Sequence, residues 1–204
     1  MRLTGVLVLL AAHVACSEYR VRDEQAPVAQ PPGEDEDPAG DPPDNWQDCP
    51  QGMLGRYYNL PANNPYVLGE DLDFEAVFAE EYLSFERYDT SLEWGESWWP
   101  VDDGLSGDPG GYAVQWHGWL RAWDDTQVQL VLGAASDAEV LVDGVRIAGV
   151  IDQPAVTPLF YVTELDGGIY PFEIRFAQRG PTSGLRFRVT EGDVSICIPS
   201  YSEE

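Results

Sequence analysis

The stretch "AEVLVDGVRIAGV", residues 138–150, decides the fold class of this chain. Val140 and Val142 occupy alternate positions that lead into the dipeptide Asp143-Gly144. An Asp-Gly pair between two strand-like runs is a strong signal for a tight two-residue turn. The stretch therefore predicts a β-hairpin, with Asp143 as an ordinary turn residue.

Four other segments, 112–123, 127–132, 168–177 and 184–189, show a similar two-residue alternation. The first of them divides into two faces: Tyr112, Val114, Trp116, Gly118 and Leu120 on one, and Gln115, His117, Trp119 and Arg121 on the other. Pro171 makes the third segment irregular and predicts an edge strand or a bulge there. Because turn residues separate the segments, we predict an antiparallel β-sandwich or barrel. Apolar residues within 74–85 predict one short helix.

The charge of the chain limits its partners. Thirty-six acidic residues against 11 basic ones give a formal net charge of -25. Such a surface repels nucleic acid and anionic lipid headgroups, so we expect neither as a partner. It is compatible with divalent cations, although most surface carboxylates are simply solvated.

The N-terminus, "MRLTGVLVLLAAHVACS", has the features of an export signal. Arg2 precedes an apolar run over 3–12 that is too short to span a bilayer but fits a secretory signal peptide. Val14-Ala15-Cys16 resembles the lipobox of bacterial lipoproteins, which implies removal of residues 1–15 and lipidation of Cys16. His13 stands where that pattern prefers Leu, so cleavage by the ordinary signal peptidase stays an alternative. We expect a lipid-anchored protein of the cell envelope, outer membrane or cell surface, or a secreted one if the lipobox is not used.

Composition divides the rest of the chain into three parts. Residues 16–48 are rich in proline and acid, and such a segment buries too little apolar surface to offset its ordering entropy. We predict an acidic, disordered tether there, a folded domain over 49–198 and a short tail over 199–204.

The three cysteines support this organisation. If Cys16 carries lipid, Cys49 and Cys197 are free to pair, at the two ends of the strand-rich region. A disulfide between them is favoured in an oxidising compartment, and two buried thiols are the alternative.

The order of the segments resembles a known family. The stretches "GMLGRYYN" (52–59), "LEWGESWWP" (92–100), "LVLGAASDAEVLVDGVRI" (130–147) and "GGIYPFEIRFAQRGPTSGLRFRV" (167–189) are similar to successive parts of the protective-antigen-type domain, the PA-fourteen domain. The resemblance covers about residues 52–190. It implies an all-β fold, an antiparallel β-sandwich with at most one short helix, and a carbohydrate-binding or adhesive role outside the cell.

The resemblance also bears on calcium. In the calcium-dependent lectin branch of the family, a Ser precedes two adjacent Asp that hold the ion, and a later Asn completes the site. Ser136 and Asp137 match this pattern, but Ala138 replaces the second Asp and no Asn follows Asn64. Calcium takes about six to eight oxygen ligands, so the resemblance implies that this site is not intact. We expect no cofactor, with calcium disfavoured, and Asp137 as a loop residue bonded to nearby backbone amides.

Two further groups are candidates for binding. The aromatic rings of Trp94, Trp98 and Trp99 could stack on a glycan, and the alternative is that they cap the core. Asp102, Asp103 and Asp108 form a weak candidate cation loop without EF-hand spacing. The pair Asp124-Asp125 is interpreted as a turn between two strands.

The residues do not favour catalysis. Once the signal is removed, His117 is the only histidine, which excludes a multi-histidine zinc site. Nucleophile-elbow and phosphate-loop motifs do not occur in the sequence. We therefore expect a non-enzymatic surface protein that binds carbohydrate or extracellular matrix and meets the membrane only through its lipid. The alternative is a structural or protein-interaction module of a surface assembly.

Overall fold

The computed structural model describes residues 41–46, 49–70, 73–95, 111–179 and 182–198. These residues belong to the second of two units into which the chain divides, residues 36–204. Cys16, Trp98, Trp99, Asp102, Asp103 and Asp108 lie outside the described residues, as do the predicted signal peptide and the tail. None of the helices in the described ranges has the length and apolar character of a membrane span.

The described part of the chain is built from ten strands. They are β1 (Met53–Leu60), β2 (Leu83–Asp89), β3 (Glu93–Trp94), β4 (Gly111–Ala122), β5 (Thr126–Val142), β6 (Val145–Gln153), β7 (Leu159–Leu165), β8 (Gly168–Gln178), β9 (Gly184–Glu191) and β10 (Val194–Cys197). One short α-helix, α1 (Pro65–Leu68), and two 3-10 helices, Glu75–Phe78 and Glu80–Tyr82, lie between β1 and β2.

All strand pairs are antiparallel, and the long strand β5 joins the two layers. The order along the sheet is β2-β1-β4-β8-β5-β9-β3, with β10 on β4 and with β6 and β7 on β5. The first part of β5 pairs with β7 and β9, whereas its second part pairs with β6 and β8. The sheet curls on itself in this way and encloses the main core. The prediction of an antiparallel all-β sandwich is confirmed.

The hairpin that opened the sequence analysis is present. Asp143 and Gly144 connect β5 to β6 with φ angles of 51° and 71°. Positive φ at both central residues matches the right-handed twist of the flanking strands. The predicted faces of β4 are also confirmed: Tyr112, Val114, Trp116 and Leu120 lie in the main core.

The disulfide between Cys49 and Cys197 is confirmed, with an S–S distance of 2.03 Å. It lies in a small cluster with Trp119 and Trp46. Trp46 belongs to the end of the predicted tether, yet its side chain is only 7% exposed. The bond joins the segment just before β1 to the end of β10, the last of the described strands.

The short helix predicted over 74–85 is present only in part, and as 3-10 helix rather than α-helix. That segment forms the two 3-10 helices and then enters β2 at Leu83. Its aromatic residues cover a second cluster beside the main core, where Phe78 packs edge-on against Tyr58 at 5.5 Å between ring centroids. Packing on that cluster outweighs the helical spacing. The α-helix instead follows Asn64, whose side chain caps it by accepting a hydrogen bond from Tyr66 N.

The prediction that Pro171 marks an edge or a bulge is wrong. Strand β8 lies between β4 and β5, and Pro171 pairs with Trp119 in a regular β4–β8 ladder. The N and O atoms of a strand residue point to the same side, and Pro171 O accepts from Asp143 N, at the end of β5. The missing N–H therefore faces the point where the β5–β8 pairing ends, so it costs no bond to β4.

Candidate functional site at Asp137

The structure places Asp137 inside β5 rather than in a loop, which corrects the sequence-based expectation. The β5–β6 register shifts there, since Ser136 pairs with Gln153 and Ala138 with Val150. Two residues of β6 thus oppose Asp137, and this irregularity turns its side chain toward buried partners. Asp137 is 7% exposed. The neighbouring Ser136 and Asp152 have positive φ angles of 92° and 52°, a region that non-glycine residues rarely adopt.

Both carboxylate oxygens of Asp137 have partners. Oδ1 accepts from the backbone N–H of Asp152 at 2.5 Å, and Oδ2 accepts from the hydroxyl of Tyr66 at 2.5 Å. The Arg179 guanidinium donates from Nη2 to Oδ1 at 3.3 Å. Its Nε lies 3.0 Å from Oδ2 as an ion pair, without the alignment of a hydrogen bond. Of these contacts, only the one from the Asp152 N–H is the predicted bond to a backbone amide.

Arg179 connects Asp137 to the surrounding segments. Its Nη2 lies 3.2 Å from Asp152 Oδ1, and its backbone N–H donates to Ser136 Oγ at 3.1 Å. The guanidinium carbon also lies 5.9 Å from the centroid of the Tyr66 ring. We call Tyr66, Ser136, Asp137, Asp152 and Arg179 the Asp137 cluster. It joins α1, β5 and β6 to the residue that follows β8.

Burial raises the pKa of the Tyr66 hydroxyl, and its hydrogen bond to the Asp137 carboxylate raises it further. Burial likewise raises the pKa of Tyr57, which donates to Asp89, and that of Tyr112. In each case the fold favours the neutral phenol. These three neutral hydroxyls therefore make their full contribution to the free energy of unfolding below the ordinary tyrosine pKa of about 10. That contribution is lost as the pH rises above this value.

We expect Tyr57, Tyr66 and Tyr112 to resist alkaline titration while the domain stays folded. Phenolate absorbance should rise near pH ~10 for the exposed tyrosines, whereas Tyr57, Tyr66 and Tyr112 should ionise only when the domain unfolds. Urea-denatured protein, in which all ten tyrosines are exposed, is the control. Complete ionisation near pH ~10 with circular dichroism unchanged would contradict the expectation.

Arg179 contributes to the lining of two cavities. The first, which we call the rim cavity, has a volume of about 350 Å³ and is lined by residues that include Leu68, Gly69, Ser136, Asp152, Gln153 and Arg179. The second, the side cavity, has a volume of about 240 Å³, and its lining includes Phe74, Glu139, Arg146, Gly149, Ile151 and Arg179. Apolar walls with a few polar groups are typical of small-ligand sites.

Trp94 is the described member of the predicted group of three tryptophans. Trp94 lies in β3 and stacks on Trp116, with ring centroids 5.6 Å apart and planes 24° apart. It thus caps the main core, and its role as a glycan platform stays a prediction.

Asp124 and Asp125 form the predicted turn between β4 and β5. In the described ranges, no group of three or more His, Cys, Asp and Glu is placed to hold a metal ion.

No protein-family model matches the sequence, and no curated protein matches it. Solved structures do. The PA14 sugar-binding domain of an RTX adhesin is 19% identical, with a TM-score of 0.53 over 72% of this chain and 94% of that one. The A domain of epithelial adhesin 9 from Candida glabrata, solved with Galβ1-4GlcNAc, is 11% identical, with a TM-score of 0.53 over 76% and 92%.

An anti-sigma factor domain-containing protein is 16% identical, with a TM-score of 0.52 over 78% of this chain. The match spans only 48% of that protein's length. At such identities the likeness concerns the fold alone. The described domain has the β-sandwich architecture of the PA14, or PA-fourteen, domains.

Proposed function

We propose that this protein is an exported, lipid-anchored surface protein with one non-catalytic domain that binds carbohydrate or matrix without calcium. One observation carries the proposal. The carboxylate of Asp137, which matches a calcium ligand of the lectin branch, is bonded by Arg179, Tyr66 and the amide of Asp152. Side chains and a backbone amide of the protein, rather than a bound metal ion, thus hold this carboxylate in place.

Calcium does not fit the residues at this place. Ala138 supplies no side-chain oxygen, and no Asn follows Asn64 in the sequence. A cation bridging the Asp137 oxygens would approach a guanidinium whose nitrogens lie 3.0 and 3.3 Å from them. Calcium needs about six to eight oxygens, which this set does not offer.

The charge of the cavities favours a neutral ligand. The carboxylates of Asp137, Glu139 and Asp152 face the guanidinium groups of Arg146 and Arg179, so three negative and two positive charges leave a formal charge of -1. The chain as a whole carries -25. Paired acids and guanidiniums offer hydrogen-bond acceptors and donors to sugar hydroxyls, whereas an anionic polysaccharide would be repelled. The sugar-binding neighbours support the same class of ligand.

The sequence and the disulfide support export. Residues 1–15 resemble a lipoprotein signal that ends before Cys16, and the Cys49–Cys197 bond belongs to an oxidising compartment. The lipid on Cys16 would then hold the domain at the membrane through residues 16–48.

A glycan array tests this proposal, with a Cys16→Ser chain lacking residues 1–15 as the probe. We expect binding to neutral glycans that changes by less than about twofold when calcium is replaced by EGTA. Asp152→Asn removes a charge at the rim while keeping a residue that tolerates positive φ, and it should weaken binding by about tenfold. Asp124→Asn, at the β4–β5 turn, is the matched control. Binding that requires calcium would contradict the proposal.

A second candidate function rests on β7. Leu159, Phe160 and Val162 are 42%, 70% and 55% exposed on a strand that, among the described strands, pairs with β5 alone. Exposed apolar residues on a sheet edge are typical of protein contacts. A blank array, together with loss of surface-complex recovery in Phe160→Ser, would favour an interaction module instead.

A further inference from the structure

We propose that Arg179 is a built-in cation that takes the place of a metal ion in the Asp137 cluster. Its guanidinium neutralises Asp137 and holds α1, β5 and β6 together around the rim cavity. The proposal goes beyond the proposed function, because it concerns the free protein and holds whether or not a glycan binds.

The contacts of Arg179 are those that a structural ion would make. It reaches both oxygens of Asp137, at 3.0 and 3.3 Å, and one oxygen of Asp152, at 3.2 Å. The Arg179 side chain is only 13% exposed and that of Asp137 only 10%, so the pair is largely withdrawn from water. A planar guanidinium offers several N–H donors in a fixed fork and stays charged at all physiological pH values.

The charge balance explains why one arginine suffices. The lectin-branch pattern sets two adjacent carboxylates against a divalent ion. In this chain Ala138 removes one of those carboxylates, so the single positive charge of Arg179 balances the remaining Asp137. The exposed Asp152 carboxylate, 80% accessible to solvent, adds a weaker second attraction.

The cluster also restrains unusual backbone. Ser136 and Asp152, on either side of Asp137, have φ angles of 92° and 52°. Such conformations persist only where surrounding contacts determine them. Ser136 Oγ accepts from the backbone N–H of Arg179, and the Asp152 N–H donates to the Asp137 carboxylate, so both unusual residues are bonded to the two residues that form the ion pair. Removing the guanidinium leaves these two bonds in place but takes the counter-charge from Asp137 and Asp152, so the segments around both carboxylates should loosen.

Arg179→Gln in the full mature chain tests the proposal, with Arg188→Gln as the matched control. Arg188 is 57% exposed and lies 3.6 Å from Glu93, so its loss should lower the melting temperature by less than about 2 °C. Arg179→Gln leaves the buried Asp137 carboxylate unpaired and should lower it by about 5–15 °C. Hydrogen exchange at Asp137 and Asp152 should rise at least about tenfold. Equal effects of the two substitutions would overturn the proposal.

A double variant separates charge balance from simple loss of packing. Asp137→Asn with Arg179→Gln removes both charges and leaves no buried carboxylate without a counter-charge, so the double variant should be more stable than Arg179→Gln alone. A double variant less stable than that single variant would overturn the proposal, since the carboxylate would then not need the guanidinium.

The effect of calcium on the melting temperature of the wild type is the last test. The wild type should melt within about 1 °C in millimolar calcium and in EGTA, and a lower melting temperature in EGTA would overturn the proposal. These readouts need no glycan. A blank glycan array would therefore count against the proposed function and leave this inference standing.

Discussion

Replacing Cys49 and Cys197 together with alanine is expected to lower the free energy of unfolding by about 2–5 kcal/mol. The bond closes a loop with a sequence separation of 148 residues, so it removes much of the freedom of the unfolded chain. In the chain-entropy model a loop of this length corresponds to about 5 kcal/mol. Alanine is chosen because Cys197 is fully buried, and a serine hydroxyl would add a cost of its own there. Urea unfolding gives the difference.

The reductant provides an internal control for this result. Dithiothreitol should lower the midpoint of the wild type toward that of the variant and leave the variant unchanged. The local effect should appear at β10, which has four residues and pairs with β4 alone among the described strands, so its amides should exchange faster. A wild type that keeps its midpoint in reductant, with the bond shown to be open, would refute the expected contribution.

The strands and their faces could be predicted because the necessary signals are local. Alternation along β4 depends only on neighbouring side chains, and the Asp143-Gly144 turn depends on two residues. The disulfide followed from a count, since only two cysteines remain once Cys16 is set aside. Periodicity predicted residues 74–85 only in part, because the partner of the apolar residues there is a second cluster formed by distant parts of the chain.

The site could be predicted only in part, because its partners are remote in sequence. The resemblance to the lectin branch pointed to Asp137 and to the missing carboxylate at Ala138. It gave no signal for Tyr66 and Arg179, which lie 71 and 42 residues away. Arg179 follows β8 directly, and the β8 residue Ala177 pairs with Asp137, so the pairing of β5 with β8 brings the two charges together. Only the strand order could have provided this information.

Replacing Asp89 with alanine is expected to cost about 3–5 kcal/mol of stability, because it leaves two buried donors without their acceptor and removes the counter-charge of a partly buried guanidinium. Asp89 ends β2 and is 7% exposed. Its Oδ2 accepts from the Tyr57 hydroxyl at 2.5 Å and from Trp116 Nε1 at 2.8 Å, and its Oδ1 accepts from Arg87 Nε at 2.8 Å.

The Asp89 carboxylate also holds the rings of Tyr57 and Trp116 in place, and Trp94 stacks on the second of them. Trp94 stacks on Trp116, and the Arg87 guanidinium lies 6.0 Å from the Trp94 ring and 4.6 Å from that of Tyr57. Without Asp89, Trp116 and Arg87 lose their shared acceptor, so Trp94 should lose its fixed stacking partner. The substitution should therefore change tryptophan fluorescence in the folded state as well as the urea midpoint.

Asp124→Ala is the matched control for Asp89→Ala, because it removes an exposed carboxylate from the β4–β5 turn. Its effect should stay within about 0.5 kcal/mol. Tyr57→Phe removes one of the three donors and should cost about 1 kcal/mol in the wild type, but less in the Asp89→Ala background, where that donor has already lost its acceptor. Equal costs of Tyr57→Phe in both backgrounds, or an Asp89→Ala midpoint equal to that of Asp124→Ala, would show that Asp89 does not hold β1, β2 and β4 together.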